Sequence, residues 1–401
     1  MNTTRDGFVV SDGRFDFGAF SGTYVSPDLV EEVRVITTPV DAEAGRGAGQ
    51  VQMATRGGTN QFKGSIFWTN HNSAIDASNW FNNFNGVKKD YANRNQFGVR
   101  VGGPIKKNKT FFFVLLEEQR NIIRQSFVGT VLTEQARNGI IYRFFPGADN
   151  GNITSNTATV DRNGAPVRPA NATGDLQSFS VFGRDANRTG YDPTGFVQGV
   201  LLSRMPLPND YTAGDGLNTA GIRFTRRING IDESNGNGYD TNRDQFNLRF
   251  DHNFNTKHKL FVVYTYERDI DMTEQAGIIN WPGGFYGAND RWPNLLTFSL
   301  VSTVSPNTVN EFRAGEKRTK QSSWANFYVG REGEGEPGPQ GMEAFKLLPK
   351  SNGIPYHPIM TLFPNNIFLG TNESGITRWS NSPTYSFADT LSWTKGKCRG
   401  Q

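Results

Sequence analysis

The stretch NRDQFNLRFDHNFNTKHKLFVVYTYER, Asn242–Arg268, decides how this chain is read. Phe246, Leu248 and Phe250 alternate with Gln245, Asn247, Arg249 and Asp251. A period of two gives one apolar and one polar face, the pattern of a β-strand and not of a helix. Asn255-Thr256-Lys257-His258 interrupts the alternation, which resumes with Leu260, Val262, Tyr264 and Tyr266 against Phe261, Val263, Thr265 and Glu267. Two such runs around a short polar turn predict a hairpin.

Strand length narrows the meaning of that hairpin. About ten residues at ~3.3 Å each, tilted by ~40°, rise about 25 Å, the height of the apolar band of a transmembrane barrel. Strands in soluble proteins usually run about half as far. For both apolar rows to share a face, Phe250 must oppose Val262 and Leu248 must oppose Tyr264. That requires an odd-length loop, because a slip of one residue turns a whole row over. The reading makes Phe246, Leu248, Phe250, Val262 and Tyr264 lipid-facing, and Asn247, Arg249 and Asp251 lumen-facing.

Composition agrees with a barrel and disagrees with helical membrane proteins. At 36% apolar residues and a mean hydropathy of −0.55, the chain has no apolar run near the eighteen or so residues of a spanning helix. A barrel hides its lipid-facing stripe in such an average, because its lumen and loops are polar. The 31 Phe and 45 Gly residues suit aromatic strands joined by turns and long loops. The net charge of +4 is spread over interspersed acids and bases, which does not form the clustered basic face of a nucleic-acid binder. The single cysteine, Cys398, provides neither a disulfide framework nor a cysteine metal site.

In chain order, Leu29–Ile36 and Gln50–Thr55 are short strand candidates around the glycine-spaced Asp41–Gly49. β-Rich sequence, not a helix, follows those glycines, which argues against a phosphate-binding loop. Long strands are predicted at Gln61–Asn70, Gln96–Gly102, Thr110–Glu117, the central hairpin, Leu296–Val304, Val309–Lys317 and Tyr385–Trp393. Thr110–Glu117 is apolar on both faces, so its orientation is open. Residues 121–243 read as a long irregular loop, with an amphipathic turn at Phe196, Val197, Val200 and Leu201 ended by Pro206 and Pro208. Connections alternate between long and short along the chain, as outer-membrane barrels sort them between their two rims.

Several motifs, in this order, resemble the Oar-like branch of TonB-dependent outer-membrane receptors. Glu31-Glu32-Val33-Arg34-Val35 with Asp41–Gly47 is similar to the end of that family's plug domain. Gly57-Gly58-Thr59-Asn60-Gln61-Phe62-Lys63-Gly64 is similar to its exit into the first barrel strand. Asn93–Gly98, Gly102–Ile105, Lys109–Phe113, Pro206–Asn209, Asn247–His252 and Leu391–Lys397 also match. The resemblance implies plug-motif residues Glu32, Val33, Gly45, Gly47 and Gly49, and a plug–barrel junction at Gly57, Gly58 and Gly64.

The resulting expectation is all-β: a partial transmembrane antiparallel barrel, about eight of the roughly twenty-two strands of such transporters, preceded by the end of a plug. Residues 1–60 would be plug and 61–401 barrel. The resemblance further implies the outer membrane of a Gram-negative type of cell, an inner-membrane energy-coupling complex of the TonB type, and an extracellular bulky solute of siderophore, glycan or peptide class. Ala44 stands where the family usually has an aromatic, and the energy-coupling box, regulatory-like domain and signal peptide are not found, so a fragment is expected.

No enzyme chemistry is legible. His71, His252, His258 and His357 lack metal spacing, and Glu117-Glu118 would point to opposite faces of a strand. Asp240, Asn242 and Asp244 lack the glycine and distal glutamate of a calcium loop. No cofactor is expected. The rival is a small closed barrel for adhesion or envelope structure without transport. Its mark would be pairing of Ser65–Asn70 with Tyr385–Trp393.

Overall fold

Valine and isoleucine are concentrated in the first of the N-terminal strand candidates, and both candidates form strands in the computed structural model. The structure describes residues 2–10, 23–37, 49–145, 158–180, 194–203, 205–228, 230–232, 237–240, 242–271, 288–324, 346–348, 350–355, 360–362, 365–367 and 378–394. Strands β1 (Asn2–Arg5), β2 (Phe8–Val9), β3 (Val30–Ile36) and β4 (Gln50–Thr55) make a small sheet in the order β2-β1-β4-β3.

The remaining chain is dominated by long antiparallel strands. They begin with β5 (Lys63–Asn72), β6 (Tyr91–Lys106) and β7 (Thr110–Leu132), with helix α1 (Trp80–Phe84) in the first connection. Helix α2 (Glu134–Arg137), the hairpin of β8 (Ile140–Phe145) and β9 (Asp175–Ser180), a π-helical turn (Val197–Leu202) and β10 (Thr219–Ile228) follow. After the small pair β11 (Gly230–Asp232) and β12 (Asn237–Asp240) come β13 (Asn242–Asn253), β14 (His258–Asp271), β15 (Ala288–Arg291), β16 (Asn294–Ser305) and β17 (Thr308–Trp324). Two short hairpins, β18 (Lys350–Ser351) with β19 (Ile354–Pro355) and β20 (Met360–Leu362) with β21 (Asn365–Ile367), precede β22 (Arg378–Trp393).

Eight strands form a continuous meander, β5-β6-β7-β13-β14-β16-β17-β22, with β10 added beside the far end of β7. The expected registers hold. Phe250 opposes Val262, Leu248 opposes Tyr264, and Leu300 opposes Phe312. The last pair of the central hairpin, Asn253 with Lys259, encloses an odd loop. Because adjacent strands keep one parity, single apolar rows run across the wall. Val101, Val114, Leu248, Tyr264 and Leu296 are linked pair by pair, as are Phe112, Phe250, Val262 and Phe298.

The wall is open. Among the described residues β5 pairs with β6, β22 pairs with β17, and the two end strands do not meet. The pairing that would mark a small closed barrel is not found among them.

Residues 121–243 hold more regular structure than the irregular loop expected there. β7 runs on to Leu132, and β10 pairs with it from Thr219–Leu132 to Ile228–Ile123. A separate core forms above, from Val131, Leu132, Ala136, Phe196, Val197, Val200, Met205 and Ile222. Leu348, from the connection between β17 and β22, is buried in the same core. The amphipathic turn is thus present at its predicted place, as π-helix; Ala44, His357 and Cys398 lie outside the described residues.

Candidate functional site at the covered polar face

Alternation gives the wall two unlike faces. On β13 the polar residues Arg243, Gln245 and Asn247 are buried, whereas Phe246, Leu248 and Phe250 are only half-buried. Water-seeking side chains are normally the exposed ones. They are covered here because the N-terminal segment lies against this face.

The contacts are polar and specific. Arg5 Nη2 donates to Thr265 Oγ1 at 2.8 Å, and that hydroxyl donates to Asn247 Oδ1 at 2.7 Å. The Tyr24 amide donates to Glu267 Oε2 at 2.7 Å, and Gln245 Nε2 donates to the Tyr24 carbonyl at 2.6 Å. Arg243 lies over the Tyr24 ring, 3.6 Å from its centre, and pairs with Glu117 at 3.1 Å. Glu117 also accepts from Gln96 Nε2 at 2.8 Å. Toward the short-turn rim, Arg249 Nη1 donates to the Thr55 carbonyl at 2.5 Å while its Nη2 holds Asp251 at 2.8 Å. Arg100 reaches Asp28 at 3.3 Å.

Two apolar seats supplement this seam. Leu29 and Val30 pack with Phe113 and Leu115, and Phe8 and Val10 pack with Leu295. The first explains why Thr110–Glu117 is apolar on both sides. Phe112, Val114 and Leu116 continue the outward rows, while Phe113 and Leu115 meet the N-terminal segment. Glu117 is buried and Glu118 is exposed with Arg120, as opposite faces require.

Burial pulls the Arg5 guanidinium below its ordinary pKa, against the raising influence of Asp6 and Glu267. Arg5 Nε, Arg243 Nε, Gln245 Oε1 and Asn247 Nδ2 are buried without a hydrogen-bond partner among the described residues. The seam is therefore polar and incompletely paired, unlike a dry core.

The resemblance-derived residues fall in three places. Glu32 and Val33 are exposed on β3, and Gly49 precedes β4, where a Cβ would lie 3.3 Å from the Ile36 carbonyl. Gly45 and Gly47 lie outside the described residues. Gly58 passes so close beneath β6 and β7 that a Cβ would sit 2.3 Å from the Phe112 carbonyl and 2.9 Å from that of Gly103. Gly57 lies beside Arg249 and Asp251, and Gly64 packs against the Arg100 carbonyl. Periodicity alone did not single out Arg5, Tyr24, Glu117 or Thr265. Glu117 and Thr265 carry the inward parity, but nothing in the sequence marks Tyr24 as their partner.

Among the described residues no cluster of His, Cys, Asp or Glu could hold a metal. His252 bonds Thr110 Oγ1 and His258 bonds Ser302 Oγ, each at 3.0 Å, in structural roles.

The family described as "Outer membrane beta barrel domain" matches residues 54–398. The chain belongs to that family. Its place is the outer membrane. It is also similar to the TonB-dependent transporter Oar of Myxococcus xanthus, with 33% identity over 115 residues, 27% of this chain and 10% of that protein. The chain thus spans about a tenth of the curated relative it matches. A mutant of the ferric enterobactin receptor PfeA of Pseudomonas aeruginosa is 14% identical, with a TM-score of 0.37, over 83% of this chain and 34% of the receptor. FpvA of the same organism, solved bound to heterologous pyoverdines, is 10% identical with a TM-score of 0.36, over 99% and 43%. These relatives are transporters and receptors, which are not enzymes.

Proposed function

We propose that the barrel wall and the segment seated on it belong to a TonB-dependent receptor that imports a bulky solute across the outer membrane. In this reading residues 1–60 are the end of the plug and 61–401 the first part of the barrel. The observation that carries it is the polar inner row of β13 and β14, covered by Arg5 and Tyr24. A wall built only for adhesion has no need of a separate sheet inserted against its lumen face. A polar seam suits a body that must shift within a barrel, because its contacts can be exchanged for water at modest cost.

Phe246, Leu248, Phe250, Val262 and Tyr264 then face lipid, and Asn247, Arg249 and Asp251 face the plug. Energy would come from an inner-membrane complex of the TonB type, and the long connections would meet the solute outside. The test is removal of residues 1–56 from the full-length receptor. The expected result is an outer membrane leaky to large antibiotics together with loss of energy-dependent uptake. Unchanged permeability would contradict the assignment of this segment as the plug.

A further inference from the structure

The outward side chains change character toward the long connections. On β14 they run Val262, Tyr264, Tyr266, Arg268, and on β17 they run Phe312, Ala314, Glu316, Arg318, Lys320. Tyr266 opposes Asn294, which in turn opposes Arg318. One rung further out, the register of Asp269 with Arg291 and of Arg291 with Gln321 sets Arg268, Trp292 and Lys320 side by side. The Trp292 amide donates to the Lys320 carbonyl at 2.7 Å, and Lys320 Nζ lies 5.4 Å from the centre of the Trp292 ring. Both cations are exposed and the indole is half-buried. The acids nearby are engaged elsewhere. Glu316 pairs with Arg318 at 2.7 Å, and Asp244, opposite Arg268, pairs with Arg120 at 2.7 Å. Among the described residues neither Arg268 nor Lys320 has an ion-pair partner.

A cation on the outer surface of a barrel is costly at the bilayer midplane and costs little at the interface, where its chain reaches the headgroup layer. Two cations on one rung, two strand spacings or about 10 Å apart, can close from both sides on one anion. Guanidinium and ammonium groups make charge-assisted hydrogen bonds to phosphate oxygens. An indole between them suits a boundary that is apolar below and wet above. Parity decides where the phosphate comes from. These three side chains stand on the face that carries Tyr264, Leu296 and Phe298, across the wall from the side chains that meet Arg5 and Tyr24. A solute inside the barrel cannot reach them, whereas a lipid beside the wall can.

We infer that Arg268, Trp292 and Lys320 form a binding site for the phosphate headgroup of a lipid in the outer leaflet. The guanidinium and the ammonium take the phosphate oxygens, the indole sits at the boundary of headgroup and chain, and Tyr264 and Tyr266 lie beside the chains below. Charge complementarity selects an anionic headgroup over a zwitterionic one. The inference rests on this face of the wall being the lipid face, and on no step of uptake.

The full-length receptor is reconstituted in phosphatidylcholine vesicles in which a minor fraction of lipid, either phosphatidylcholine or phosphatidic acid, carries bromine near the top of its acyl chains. Bromine quenches an indole that it touches, and the Trp292 signal is the difference from Trp292→Phe. Each variant is first shown to keep the heat-modifiable migration of the folded barrel. The expected result is stronger quenching by brominated phosphatidic acid than by brominated phosphatidylcholine. Arg268→Gln and Lys320→Gln should each lower that preference about fivefold. Arg268→Lys should retain most of it, and potassium phosphate should leave it unchanged against potassium chloride of equal ionic strength. Equal quenching by the two lipids, or a preference untouched in both glutamine variants, would overturn the inference and leave the row facing lipid. A preference abolished by free phosphate would overturn the lipid as occupant. Quenching by neither lipid would overturn the inference and the outward reading of this face together.

Discussion

Arg249 on β13 donates to the backbone carbonyl of Thr55, the last residue of β4, and so ties the N-terminal sheet to the fourth strand of the meander. Asp251 holds the same guanidinium from the other side. Replacing Arg249 by Met keeps much of the side-chain volume and removes this tie. The loss of a charge-assisted hydrogen bond is about 1.5–3 kcal/mol. Faster protease cleavage between Thr55 and Lys63, with the rest of the barrel intact, is the expected outcome.

Gly58 runs beneath the β6–β7 pair with no room for a side chain. The obstacle is backbone, which cannot swing aside. Gly58→Ala should destabilise the junction by roughly the 1–3 kcal/mol of an overpacked site, measured as a lower urea midpoint for release of the N-terminal segment. Gly86, whose Cβ position is open, has a positive φ of 63° but no steric barrier, so Gly86→Asn serves as a tolerated control.

Leu348 joins two connections that are far apart in sequence by entering the core around Phe196 and Met205. Leu348→Ala should cost about 2–5 kcal/mol of local stability. Hydrogen exchange at Val131 and Leu132 should quicken, while exchange at Leu248 stays slow.

Asp210 titrates lower than an ordinary aspartate. Burial pushes its pKa up, but hydrogen bonds from the Thr212 hydroxyl and amide, and the charge and hydrogen bond of Arg223, more than offset this. A depressed folded pKa means the stabilisation is present above the ordinary aspartate range and is lost as pH falls through the folded value. Opening of the β10 edge, followed by Tyr211 fluorescence, should therefore begin only under strongly acidic conditions. In Asp210→Asn that acid-induced step should be absent.

Much of the wall was legible because its chemistry repeats every second residue. The pairs Phe250–Val262 and Leu300–Phe312 follow from parity alone. Strand ends on the long-connection side were not legible. β7 continues through Gln119–Arg124, where adjacent Ile122 and Ile123 put apolar side chains on both faces, and β17 through Arg318–Trp324, whose first six residues are all polar, so neither run alternates. The core around Phe196 and Leu348 escaped notice because its members come from separate stretches without a shared period. Likewise the seam at Tyr24 depends on a backbone amide and carbonyl, which any residue supplies.

The most direct measurement is an accessibility scan with nitroxides placed singly at each position from Asp244 to His252, in a Cys398→Ser background in lipid bilayers. High oxygen collision rates at 246, 248 and 250, with low rates for both oxygen and polar reagents at 245, 247 and 249, are predicted. Loss of the two-residue alternation, or oxygen exposure at the odd positions instead, would contradict the assignment of these faces to lipid and plug.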